Sequence, residues 1–197
     1  MAAKRKLIYG VGINDVAEPV TNRLEDTFKI YLKWREMLRR CYSGRDSYES
    51  YCHTTVCKEW LYFSKFKAWV ETQDWEGKHL DKDLLGNGDY YSPDACIFLT
   101  GQVNSFMIVN DRNKKDKSLP TGVTFYDKTM TYRASCSNCF THKVVSLGYF
   151  DSINEAANAW KVYKANLAKE LASIQTCAIT AKALLYKYCL EDYGSSN

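Results

Sequence analysis

The stretch His79-Leu80-Asp81-Lys82-Asp83 carries the side chains of this chain best suited to chemistry. On a strand, residues two apart share a face, so His79, Asp81 and Asp83 are expected in one row with Lys82 on the other side. An imidazole beside two carboxylates can handle a proton and a cation. Just before it, Glu76-Gly77-Lys78 is half of a pattern in which a lysine positions water beside a carboxylate-bound metal, with Asp74 or Asp81 as the second carboxylate. A solvated charged turn is the simpler expectation for that short motif. Among the eight cysteines, Cys136-Ser137-Asn138-Cys139 has metal-clip spacing and is followed by His142, while Cys52, His53 and Cys57 form a looser cluster. Neither supplies four ligands, so buried thiols acting as small hydrophobes are expected, with structural zinc as the alternative.

The elements that must position these residues are legible from periodicity. From Asp26 to about Cys41, Phe28, Tyr31, Leu32, Trp34, Leu38 and Cys41 recur at helical spacing with Lys29, Lys33, Arg35, Arg39 and Arg40 interleaved, which predicts a basic amphipathic helix. A polar, turn-like stretch over 43–53 separates it from a second helix over about 58–71 with Trp60, Phe63, Phe66, Trp69 and Val70 on one side. The period then changes: 79–85 reads as a strand, 86–89 as a turn, 95–100 as a second strand, and a helix begins at Gln102 and carries Asn104. Residues 111–119 are charged and poor in apolar side chains, as a linker would be. Beyond them come three short strands starting at Gly122, Tyr132 and Lys143, and a capping box, Ser152-Ile-Asn-Glu155, opens a helix through Leu171, with 173–190 expected to continue as helix, with or without a break. The fold class expected is α+β: a helical region with a strand–strand–helix unit over 1–110, the linker, then a three-stranded antiparallel sheet packed on a helix over 120–190.

With 197 residues, 46% hydrophobic and 25% charged side chains and three prolines, the chain can bury a core, which excludes wholesale disorder and collagen-like structure. No apolar run has the length of a membrane span, and the first ten residues lack the apolar segment of a secretory signal, so no membrane partner and a cytoplasmic location are expected. Gly10-Val11-Gly12 lacks the residues of a phosphate loop. The net charge is only +4, yet seven basic residues between Arg112 and Lys143 (Arg112, Lys114, Lys115, Lys117, Lys128, Arg133 and Lys143) face only Asp116 and Asp127. Such clustering favours a polyanionic partner over diffuse solvation, although an ordinary solvated face is the plain alternative.

Residues 119–172 resemble the APETALA/ethylene-response-factor type of DNA-binding domain, also found in many phage endonucleases. Gly122-Val123, Tyr132-Arg133-Ala134, Leu147-Gly148-Tyr149-Phe150 and Ile153-Asn154-Glu155-Ala156-Ala157 carry the resemblance. It implies that the sheet lies in the major groove of double-stranded DNA. Strand alternation then makes Thr124, Tyr126, Arg133, Ser135, Ser137 and Lys143 the contacting residues, with Lys128, Arg112, Lys114 and Lys115 adding charge nearby. Arginine in a groove can read guanine, and lysines neutralise phosphates. Several arginines and tryptophans of the plant pattern are Thr, Tyr and Ser here, which favours general duplex affinity over sequence reading.

The first half is similar, more loosely, to phage-encoded nucleases of the HNH group, through Trp34–Tyr42, Val56–Trp60, Leu80–Asp83, Tyr91–Cys96 and Val103-Asn104. The resemblance implies a site for Mg²⁺ or Mn²⁺ held by Asp81 with Asp83 or Asn104, and puts Lys82 where a histidine base is expected. A lysine with an ordinary pKa near 10.4 is a poor base, which leaves Lys82 as a phosphate contact with His79 as base, or the site without catalysis. The expected function is metal-dependent nicking or cleavage of duplex DNA by a homing-type endonuclease. The alternative is a non-catalytic DNA-binding protein, a regulator or antagonist of a host system, built on the same scaffold. A third is a module whose basic face meets an acidic protein.

Overall fold

Ile30, Trp34, Met37 and Leu38 recur at three- and four-residue intervals and are all buried along one side of helix α1 (Asp26–Tyr42). Asp26 in its first turn and Arg39 and Arg40 in its last complement the helix dipole. The computed structural model describes residues 7–17, 20, 25–44, 51–86, 88–107, 116 and 118–190. The chain divides into two compact units, residues 1–99 and 100–197. It is α+β, and no helix among the described residues is long and apolar enough to cross a membrane.

In the first unit, α1 meets a 3-10 turn (Glu59–Leu61) and helix α2 (Phe63–Val70). The Trp34 indole donates to the Trp60 carbonyl at 2.6 Å, so the largest side chain of the helix is buried with its polar atom satisfied. Trp60 stands edge-on to Phe66 at 5.1 Å, and Trp69 stacks on Phe98 at 5.6 Å. Trp60, Phe63 and Phe66 are core, as their spacing suggested, and Trp69 packs against them. Two small strand pairs complete the unit. Strands β1 (Thr55–Val56) and β3 (Tyr90–Tyr91) run parallel; β2 (His79–Asp81) and β4 (Ile97–Leu99) run antiparallel, with His79 opposite Leu99 and Asp81 opposite Ile97. The lead-in over 7–17 is tied to the unit where Ile13 exchanges hydrogen bonds with Leu61 and Phe63.

The second unit opens with helix α3 (Gly101–Met107), which carries Asn104. Strands β5 (Val123–Tyr126), β6 (Thr131–Ser137) and β7 (Val144–Phe150) form an antiparallel sheet in that order. Helix α4 (Ile153–Ser173) starts where the Ser152 hydroxyl accepts from the Glu155 amide, and it packs across the sheet. Val123, Ala134 and Ala156 are buried at the contact, with Tyr132, Leu147 and Phe150 around them. Helix α5 (Ala178–Leu185) and a π-helical turn (Tyr186–Leu190) follow a break and pack on α4. Lys164 of α4 is 6% exposed; its Nζ donates to the Phe106 carbonyl at 2.5 Å and lies 3.6 Å from the centre of the Phe106 ring, and burial lowers its pKa.

The start of β5 depends on Gly122. Its φ is +76°, and a Cβ there would meet Cδ1, Nε1 and Cγ of Trp160 on α4. Left-handed backbone costs an L-residue roughly 1–2 kcal/mol, and overpacking adds about 1–3 kcal/mol. Gly122→Ala is therefore expected to lower stability by about 2–5 kcal/mol, read as a lower urea midpoint; an unchanged midpoint would contradict the Trp160 contact.

Candidate nucleic-acid interface and the Asp81 turn

Because α4 covers one side of the sheet, pairing register decides what faces outward. Directly opposed residues of antiparallel strands share a face. Thr124 pairs with Arg133 and Arg133 with Tyr149; Tyr126 pairs with Thr131, Ser135 with Ser146, and Ser137 with Val144. Val123, Ala134, Gly148 and Phe150 belong to the covered side. Thr124, Tyr126, Arg133, Ser135 and Ser137, expected together from alternation, do share the outer face. Four residues of that face were missed: Thr131, Val144, Ser146 and Tyr149. The register shifts between Ala134 and Ser135, so Leu147 is an extra residue on β7 and reverses its alternation. Gly148, inside an otherwise regular strand at φ +129°, is the sequence signal for that bulge.

Arg133 sits at the centre of the face between Thr124 and Tyr149, and its Nε is buried with no hydrogen-bond partner among the described residues. Tyr149 and Tyr126 lie with ring centres 5.2 Å apart. Lys128 occupies the β5–β6 turn and Lys143 the β6–β7 turn, both exposed, at opposite ends of the seven-residue strand β6. That separates them by about 20 Å of strand. The β6–β7 turn is firmly held: Asn138 Oδ1 accepts from the Phe140 and Thr141 amides, Asn138 Nδ2 donates to the Tyr163 hydroxyl at 3.1 Å, and Gln102 donates to the Cys139 carbonyl. Arg112, Lys114 and Lys115 lie outside the described residues.

The Asp81 turn departs from expectation. The strand read over 79–85 stops at Asp81 because that carboxylate, 7% exposed, accepts the Asp83 amide at 3.0 Å and the Leu84 amide at 2.8 Å through Oδ1. His79 and Asp81 keep alternate positions of β2, His79 exposed and Asp81 buried, but Asp83 lies beyond the strand and reaches Lys82 instead. Lys82, expected on the opposite side from Asp83, is 6% exposed and pairs with it at 2.8 Å, its Nζ 4.9 Å from the Tyr51 ring centre. Asn104 belongs to the second unit. Lys78 pairs with Asp74, so the Glu76-Gly77-Lys78 motif is the charged turn that its shortness suggested.

Other charges of the first unit are also in use. Lys29 pairs with Asp26, Arg39 and Arg40 pair with Glu36, and Lys33 donates to the Lys78 carbonyl while burial lowers its pKa. The basic side of α1 is therefore largely internal wiring. Among the described residues no group of three or more His, Cys, Asp or Glu side chains is placed to hold a metal, the Cys136–Cys139–His142 and Cys52–His53–Cys57 clusters included. Burial pushes the thiols of Cys57, Cys136 and Cys139 up.

Two outcomes follow for the Asp81 turn. Asp81→Ala leaves two amides in a closed turn without their acceptor and is expected to lose about 1–3 kcal/mol of stability, while Asp81→Asn, which keeps an acceptor oxygen, loses less; equal urea midpoints for all three proteins would contradict this. Nearby, burial pushes the Cys96 thiol, ordinarily 9.0, up to about 12. Folded Cys96 keeps a proton that the unfolded chain releases above pH 9, so its contribution is intact below that pH and is lost as pH rises towards 12. The slope is up to about 1.4 kcal/mol per pH unit. Cys96→Ala is expected to flatten the fall of the urea midpoint between pH 8.5 and 10.5, and an unchanged slope would refute the assignment.

Comparison of the chain with protein-family models, with curated proteins and with solved structures finds no match in any of the three.

Proposed function

We propose that this chain binds duplex DNA through the outer face of the β5–β6–β7 sheet. The supporting observation is the register that gathers Thr124, Tyr126, Arg133, Ser135, Ser137 and Tyr149 on the face opposite α4. Between Val123 and Phe150 the basic residues Lys128, Arg133 and Lys143 stand against Asp127 alone, a complement to phosphate. A twisted sheet can present such a face to a groove, with the central arginine towards base edges and the lysines of the two turns towards the backbone.

In this reading the protein acts by occupying DNA rather than by cutting it. The engagement of the Asp81 turn within the fold supports this reading. Asp81 Oδ1 accepts two amides, and Asp83 neutralises Lys82. A nuclease of the HNH type remains a second reading, favoured by one observation, the antiparallel β2–β4 pair followed in sequence by α3 with Asn104.

Anisotropy titrations with duplex DNA are expected to show salt-dependent binding. Arg133→Ala should weaken it about ten-fold or more, and Lys143→Ala should lower the salt slope by about one. Unaltered binding by both variants would overturn the surface. Incubating supercoiled plasmid with the protein and Mg²⁺ or Mn²⁺ is expected to leave it intact; metal-dependent nicking that Asp81→Asn abolishes would establish the second reading instead.

A further inference from the structure

The outer face holds an unusual mixture for a surface that meets a polyanion. Its strands carry a single charged side chain, Arg133. Around it are hydroxyls (Thr124, Ser135, Ser137, Ser146), the Tyr126–Tyr149 ring pair and Val144. Tyr149 is 53% exposed and Val144 67% exposed, so this apolar surface is not consumed by the fold. Serine and threonine hydroxyls bond to either purine or pyrimidine edges and discriminate little. Selectivity must come from the guanidinium and from the apolar surface beside it.

In the major groove a guanidinium has one matched partner, the O6 and N7 acceptors of guanine, and apolar surface has one, the 5-methyl group of a pyrimidine. On this face the two features are adjacent, because Tyr149 is the cross-strand neighbour of Arg133. We infer that the sheet recognises a guanine next to a pyrimidine carrying a 5-methyl group, with Arg133 on the guanine and the Tyr149 ring on the methyl. Thymine and 5-methylcytosine both present that methyl, so TpG and methylated CpG steps are the two sources of one chemistry. The Tyr126 ring, 5.2 Å from Tyr149, backs it and fixes where the methyl is met. Sequence preference is accordingly confined to a two-base step, and the remaining affinity comes from phosphates met by Lys128 and Lys143. The inference rests on the duplex-binding reading above.

The test is an anisotropy titration of the full chain against short duplexes tiled with TpG, with UpG, with 5-methyl-CpG, with CpG, or with TpA steps. Removing the methyl, in TpG to UpG and in 5-methyl-CpG to CpG, is expected to weaken binding about four-fold, and replacing guanine in TpA by at least as much. Tyr149→Ala should bind the methylated and unmethylated members of each pair equally, while Tyr149→Phe keeps the difference. A loss for only one pair would identify the pyrimidine actually read. Equal affinity for both pairs in the parent protein would overturn the inference and leave duplex binding standing, as discrimination persisting in Tyr149→Ala would overturn the role of Tyr149. Failure to bind any duplex at low salt would instead remove the reading beneath it.

Discussion

The contact between α4 and one side of the three-stranded sheet governs the second unit. Ala134 and Ala156 are small enough to be fully buried where helix and sheet meet, and Gly122 leaves room for Trp160 above the start of β5. Once that side is closed, period-two alternation leaves no freedom: every second residue of β5 and β6 must face away from the helix. Thr124, Tyr126, Arg133, Ser135 and Ser137 are on the outer face because Val123, Ala134 and Cys136 are on the inner one. The bulge at Leu147 then swings β7 into phase so that Tyr149 stands beside Arg133. Arg133 is thereby flanked across the strands by the hydroxyl of Thr124 on one side and the ring of Tyr149 on the other.

The first unit puts similar residue types to a different use. Its lysines and arginines are drawn into short-range pairs and ring contacts: Lys33 against Trp75 and Phe98, Arg40 and Lys82 against Tyr51, and Lys82 against Asp83. A cation over a ring and beside a carboxylate keeps its charge while losing its availability to an outside partner. Net charge therefore says little about which surface meets a polyanion. Charge with no partner among the described residues says more, and Arg133, Lys128 and Lys143 are better placed by that measure than Lys29, Lys33, Arg39 and Arg40 of α1.

Much of the fold could be read from the sequence because it obeys simple periods. The three strands, the capping box at Ser152 and the aromatic core around Trp34 and Trp60 all follow from apolar spacing and turn residues. The misreadings have local causes. Extending a strand through 79–85 ignored the ability of Asp81 to hydrogen-bond its own following amides, a side-chain effect that spacing cannot register. The parallel pair of Thr55–Val56 with Tyr90–Tyr91 joins segments too short and too distant in sequence to show any period. Tyr149 is out of step with Val144 and Ser146 on its own strand, because one bulged residue, Leu147, reverses the parity of everything beyond it. Helix α3 was read correctly, but its grouping with the second unit depends on long-range contacts that no local pattern encodes.

The most direct test of the account is to map which residues respond when DNA is added. Amide and side-chain NMR signals of the full chain, recorded during titration with a short duplex, are predicted to shift at Thr124, Arg133, Ser135, Ser146 and Tyr149 and in the turns bearing Lys128 and Lys143. Residues of α1 and of the Asp81 turn are predicted to stay still. Shifts concentrated in the first unit, with the outer face of the sheet silent, would contradict the central claim.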